Sequence, residues 1–119
     1  MQSKIAIFIF ADTESFEGLG RVFNALVAAK EFKAGGDTVA IIFDGAGTKW
    51  PAELAKPAHK AHRLFNELKQ QVRGACSFCA GVFGATEATE QSGTGLLSEF
   101  EGHPSVRRLM GEGYQILNY

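Results

Sequence analysis

Cys76 and Cys79 stand two residues apart in VRGACSFCAGVFGA, Val72 to Ala85, and they are the only cysteines of the chain. A Cys-x-x-Cys at a strand-to-helix junction sets its first thiol against unpaired backbone N–H groups, which favour the nucleophilic thiolate. The spacing therefore predicts Cys76 as an exposed nucleophile, Ser77 as the helix cap and Cys79 as a resolving or packing residue. The plain alternative is a pair of inert, buried cysteines, because a free cysteine packs as a small apolar side chain. A structural zinc site needs about four ligands. There is no second cysteine pair, and His59, His62 and His103 have no tight spacing to the first. The expectation is accordingly no metal and no cofactor.

The remaining polar cluster is EFEGHPS, Glu99 to Ser105, with His103 just before Pro104 at the start of a predicted helix. If this loop and the cysteine loop share one rim, His103 stabilises or deprotonates a thiol. Otherwise it caps the helix locally. His59 and His62 share a helical face with Lys56, Lys60 and Arg63, which reads as a solvated basic face with at most weak anion or partner docking. DGAGTK, Asp44 to Lys49, lacks the spacing of a phosphate loop and reads as a turn. GLGRVF, Gly18 to Phe23, puts a phenylalanine where a dinucleotide fingerprint needs its third glycine. No G-x-S-x-G elbow and no H-E-x-x-H zinc motif occurs in the sequence.

The elements that must hold these residues follow from hydrophobic spacing. Lys4 to Phe10 and TVAIIF, Thr38 to Phe43, are apolar without alternation, as in strands covered on both faces. Leu19, Val22, Phe23, Leu26 and Val27 make one helical stripe, on a helix whose first turn carries Asp12, Glu14 and Glu17 and which Gly35 and Gly36 stop. Pro51 and Pro57 suit the first turns of two further helices, the second with a stripe of Ala61, Leu64, Phe65 and Leu68. A short apolar strand precedes the cysteines, and CAGVFGA is a small-residue helix. The run 86–94 reads as a loop that lids the site or merely connects. GLLSEF is a strand, Pro104 opens a short helix with Val106, Leu109 and Met110 inward, and YQILNY is a last strand. This alternation predicts one α/β domain, residues 1–119, with a mostly parallel sheet. Function in such sheets gathers beyond the carboxyl ends of strands: 11–18, 44–50, 76–79 and 99–103.

Composition limits the partners. A formal net charge of -1 with pI near 6.3 offers no broad basic footprint for nucleic acid or an anionic membrane. The longest strongly apolar run, Ile5 to Phe10, is far short of a span, and Asp12 interrupts the N-terminal segment too early for a secretory signal. The expectation is a cytoplasmic protein.

GACSFCAGVFGA, followed by GLLSEFEGHPSVRRLMGEGYQILNY, resembles the DsrE-like proteins, a group that includes the DsrE/DsrF and TusD-type sulfur-relay subunits. The likeness extends over nearly the whole chain and is strongest to an uncharacterised bacterial branch. It implies a three-layer α/β/α sandwich on a five-stranded, mostly parallel sheet, assembled as a homo-oligomer such as a trimer or hexamer. It also implies that Cys76 carries sulfane sulfur as a persulfide between a donor and an acceptor protein, as a sulfurtransferase or sulfur carrier does. Cys79 departs from the relay pattern, since a neighbouring thiol discharges a persulfide as sulfide while forming a disulfide. A thiol-disulfide switch on the same pair and a non-enzymatic oligomeric binding module are the two other readings.

Overall fold

The computed structural model describes residues 2–119. Five strands, β1 (Lys4–Ile9), β2 (Thr38–Phe43), β3 (Val72–Cys76), β4 (Leu96–Leu97) and β5 (Tyr114–Asn118), form one sheet in the order β4-β3-β2-β1-β5. Every pairing is parallel. The helices are α1 (Phe16–Ala34), α2 (Trp50–Leu54), α3 (His62–Glu67), α4 (Ser77–Val82), α5 (Thr86–Gln91) and α6 (Val106–Gly111). They lie on both sides of the sheet, giving the α/β/α sandwich expected from the sequence.

Alternation along the central strands explains the layers. Ile5, Ile7 and Ile9 of β1, with Ile41 and Phe43 of β2, point to one face and pack on Val22, Ala25, Leu26 and Ala29 of α1 together with Trp50, Leu54 and Phe65. Ala6, Phe8, Ala40 and Ile42 point to the other face, where Leu109 and Tyr114 complete a much smaller cluster. Both strands are buried on both sides, which is why they lack polar alternation.

Helix α1 begins at Ser15, whose hydroxyl accepts a hydrogen bond from the Gly18 N–H at 3.0 Å. Only Glu17 of the three acidic residues falls inside its first turn, and Val27 is 55% exposed, so the buried stripe is narrower than the spacing suggested. Ala61, Phe65 and Leu68 are buried as predicted, but Pro57 lies in a turn and α3 starts only at His62. The run 86–94 is not a loop. It contains α5, held inward by Thr89, whose hydroxyl donates to the Thr48 carbonyl at 3.2 Å. Helix α6 buries Leu109 alone, leaving Val106 and Met110 44% and 62% exposed. Tertiary placement decided the differences in α3, α5 and α6, because each of these six-residue helices is too short for spacing alone to define its inner face.

The chain DGAGTK is a 3-10 turn, not a phosphate loop. Gly47 lies so close to β1 that an added Cβ would fall 1.9 Å from the Ile9 carbonyl oxygen. That approach seats the residues following β2 directly against the end of β1.

Candidate functional site

The carboxyl ends of the three neighbouring strands β4, β3 and β2 converge on the cysteines. Strand β3 carries an extra residue, since Ile41 pairs with Val72 and Ile42 with Gly74, leaving Arg73 without a partner on β2. Beyond this bulge, Cys76 ends the strand and is itself the residue that caps α4: its sulfur accepts a hydrogen bond from the Cys79 N–H at 3.4 Å. Ser77, expected to be the cap, is the first helical residue.

Cys76 is 0% exposed, whereas Cys79 is partly exposed. This corrects the expectation of an outermost Cys76. Its side chain ends the strand on the interior side, and the first turn of α4 carries Cys79 toward solvent. Burial pushes the Cys76 thiol up to about 12, from an ordinary value of 9.0, with the Cys79 sulfur and the Asp44 carboxylate adding to the shift against the opposing pull of the Cys79 N–H. Both cysteines are free thiols.

His103 reaches the same point. Its Nδ1 lies 3.2 Å from Cys76 Sγ, and the thiol also faces the Gly102 carbonyl oxygen at 3.7 Å. The loop that carries it is a tight turn. The His103 N–H donates to the Phe100 carbonyl at 2.8 Å, and the Phe100 N–H donates back to the His103 carbonyl at 2.9 Å. Glu101 and Gly102 both take positive φ, 49° and 84°. Glycine suits the second position because a side chain there would be strained and would press on Phe78, whose Cβ lies 3.2 Å from the place a Cβ would occupy. The Phe78 N–H donates to the Gly102 carbonyl at 2.8 Å, and the Phe78 ring packs on the His103 imidazole with centroids 4.9 Å apart. Thus α4 and the loop are fastened together, and the imidazole is braced against the thiol.

Asp44 is the residue that sequence reasoning missed. It read only as part of a turn, and its carboxylate does accept from the Gly45 N–H at 2.8 Å. It also brings a carboxylate oxygen to the two sulfurs and the imidazole: ligand-type atoms of Asp44, Cys76, Cys79 and His103 all lie within 4.8 Å of one another. The order of strands would have revealed it, since Asp44 and Cys76 lie at the ends of adjacent strands. Residues widely spaced in sequence thus meet in three dimensions as a set of metal-ligand type.

His59 and His62 are not part of this site. The Ala61 N–H donates to His59 Nδ1 at 3.0 Å, the His59 ring stands edge-on to Trp50, and His62 Nδ1 hydrogen-bonds the Leu54 carbonyl at 2.8 Å. They are half-buried and hold the α2–α3 connection instead of forming a solvated basic face. Among the other post-strand residues, Lys49 pairs with Asp12 at 2.6 Å and holds its carboxyl below the usual range. This links the first two loops.

No family model matches the chain, and no solved structure matches it. It is similar to the uncharacterized protein MJ0733 of Methanocaldococcus jannaschii, at 27% identity over 115 residues, which span 96% of this chain and 93% of that protein. Among the described residues, no helix is long and apolar enough to cross a membrane.

Proposed function

We propose that this chain is a cytoplasmic DsrE-like protein that accepts sulfane sulfur at its two-cysteine centre, with Cys79 as the outer thiol and Cys76, paired with His103, as the inner one. The observation that carries this reading is the 3.2 Å approach of His103 Nδ1 to a fully buried Cys76 sulfur, beside a second, partly exposed thiol. The motif resemblance and the all-parallel five-stranded sheet support it. Burial reassigns the roles that spacing suggested, because a donor reaches Cys79 first.

The chemistry balances without a cofactor. Cys79 thiolate attacks the outer sulfur of a donor persulfide, and the donor leaves as a thiolate that takes up a proton. An acceptor thiolate then removes the outer sulfur from Cys79, which leaves as thiolate. In the alternative step, Cys76 passes its proton to His103 Nδ1 and attacks Cys79 Sγ. A Cys76–Cys79 disulfide forms, and the sulfane sulfur departs as hydrosulfide, reduced by the two electrons the cysteines lose. A thiol reductant resets the pair. Proximity of the two sulfurs favours this second branch and makes a thiol-disulfide switch the second reading.

Mass spectrometry of reduced, chelator-treated protein after exposure to inorganic polysulfide tests the assignment. The Cys76→Ser variant is expected to gain one sulfur atom on Cys79, while the wild type loses two hydrogens across the pair and releases sulfide. Cys79→Ser is expected to gain nothing. Sulfur uptake that persists in Cys79→Ser, or no reaction in any form, would sink the proposal.

The homo-oligomer implied by the resemblance has a face to use. The second side of the sheet is covered in part by α6, around which Phe100, Val106 and Met110 are 64%, 44% and 62% exposed. A second copy of the chain is the proposed cover. Sedimentation velocity at micromolar concentration is expected to show a trimer or larger assembly that Met110→Asp dissociates, and a monomeric wild type would refute it.

A further inference from the structure

The cysteine centre contains more than two thiols and a histidine. Asp44 follows β2, Cys76 ends β3, Cys79 lies in the first turn of α4, and His103 sits on the turn after β4. Four side chains of metal-binding type thus arrive from three adjacent strand ends, each offering one donor atom within 4.8 Å of the other three. A zinc ion with bonds of about 2.0–2.3 Å sets its four ligands about 3.3–3.8 Å apart. The His103 Nδ1 to Cys76 Sγ distance of 3.2 Å is just short of that edge. With every separation within 4.8 Å, a contraction of about 1 Å brings the widest pair to the upper edge, within reach of side-chain rotation.

The donor set selects the cation. Two sulfurs, one imidazole nitrogen and one carboxylate oxygen suit zinc and similar borderline metals, whereas magnesium and calcium require oxygen-rich shells. Supports are in place: the Gly45 N–H holds Asp44, the Phe78 ring braces His103, and the α4–loop clamp fixes their relative position.

We propose that Asp44, Cys76, Cys79 and His103 form a closed, four-coordinate site for a zinc-class divalent cation, assembled by the juxtaposition of the β2, β3 and β4 carboxyl ends. On binding, each thiol gives its proton to the buffer and its sulfur to the metal, with no change of oxidation state. The site goes beyond the sulfur reading and does not rest on it. A loaded protein has both sulfurs occupied and is inert to alkylating agents and polysulfide, while the metal-free protein is the form with reactive thiols.

Cobalt titration of reduced, chelator-treated, desalted protein is the test. One equivalent of Co2+ is expected to give a near-ultraviolet sulfur-to-cobalt charge-transfer band with intense tetrahedral visible bands, both abolished by Zn2+. In Cys79→Ser the charge-transfer band falls by about half, one of two thiolates being lost. In Asp44→Asn and His103→Gln the affinity falls at least about tenfold. Circular dichroism establishes that each variant is folded, and the partly exposed Cys79 replaces the buried Cys76 as the sulfur tested. No charge-transfer band in the folded wild type, or a band indifferent to Cys79→Ser or to His103→Gln, overturns the site. Because the polysulfide experiment is run on metal-free protein, its failure and the failure of this one are distinguishable.

Discussion

With metal removed and the pH held near 8, iodoacetamide is expected to label Cys79 at least about a hundredfold faster than Cys76. Two causes act together. Cys76 is 0% exposed, and its thiol holds its proton up to about 12, whereas only the thiolate reacts. Labelling of Cys76 should therefore rise about tenfold per pH unit above 8 and level off only near that pKa. The same shift has a stability consequence. An unfolded Cys76 loses its proton near 9.0 and the folded one near 12, so above 9.0 the unfolded state binds fewer protons. Stability present in full below pH 9 is lost as pH rises toward 12. Cys76→Ala should lack this alkaline component, which urea unfolding across that range would show. Equal labelling of both cysteines in folded protein would contradict the buried placement and the role given to Cys79.

Gly47→Ala is expected to destabilise the fold by about 3 kcal/mol, among the larger effects of adding one methyl group. The new Cβ would meet the Ile9 carbonyl at 1.9 Å, and backbone on both sides has nowhere to yield without opening the β1 end or lifting the turn after β2. That turn begins at Asp44, so cobalt binding should weaken along with stability. Gly20→Ala is the control. It lies exposed within α1 with nothing within 4 Å of an added Cβ, so helix propensity should stabilise the protein by about 0.8–1.0 kcal/mol. Urea melts that rank the two alike would remove the steric account of the turn.

Much of the architecture was legible because its signals are local. β1 and β2 announced themselves by unbroken apolar runs, and α1 by its spacing with an acidic start and a glycine stop. The short elements were less legible. Residues 86–91 looked like loop because their polarity reflects an outer face, while the one side chain that holds the helix inward, Thr89, is itself polar. Val106 and Met110 look like core residues in sequence, yet the six-residue α6 turns only Leu109 to the sheet.

For the site, the sequence by itself determined the chemistry available: two thiols, one imidazole on a glycine-flanked turn, and strand ends on which to place them. It determined the parallel α/β class as well, since strands buried on both faces carry their own signature. Only the tertiary structure decided which thiol meets solvent, because the end of β3 turns Cys76 inward and the first turn of α4 turns Cys79 outward. Only the tertiary structure brought in Asp44, because lateral strand order rests on pairing between segments distant in sequence, and no spacing along the chain encodes that neighbourhood.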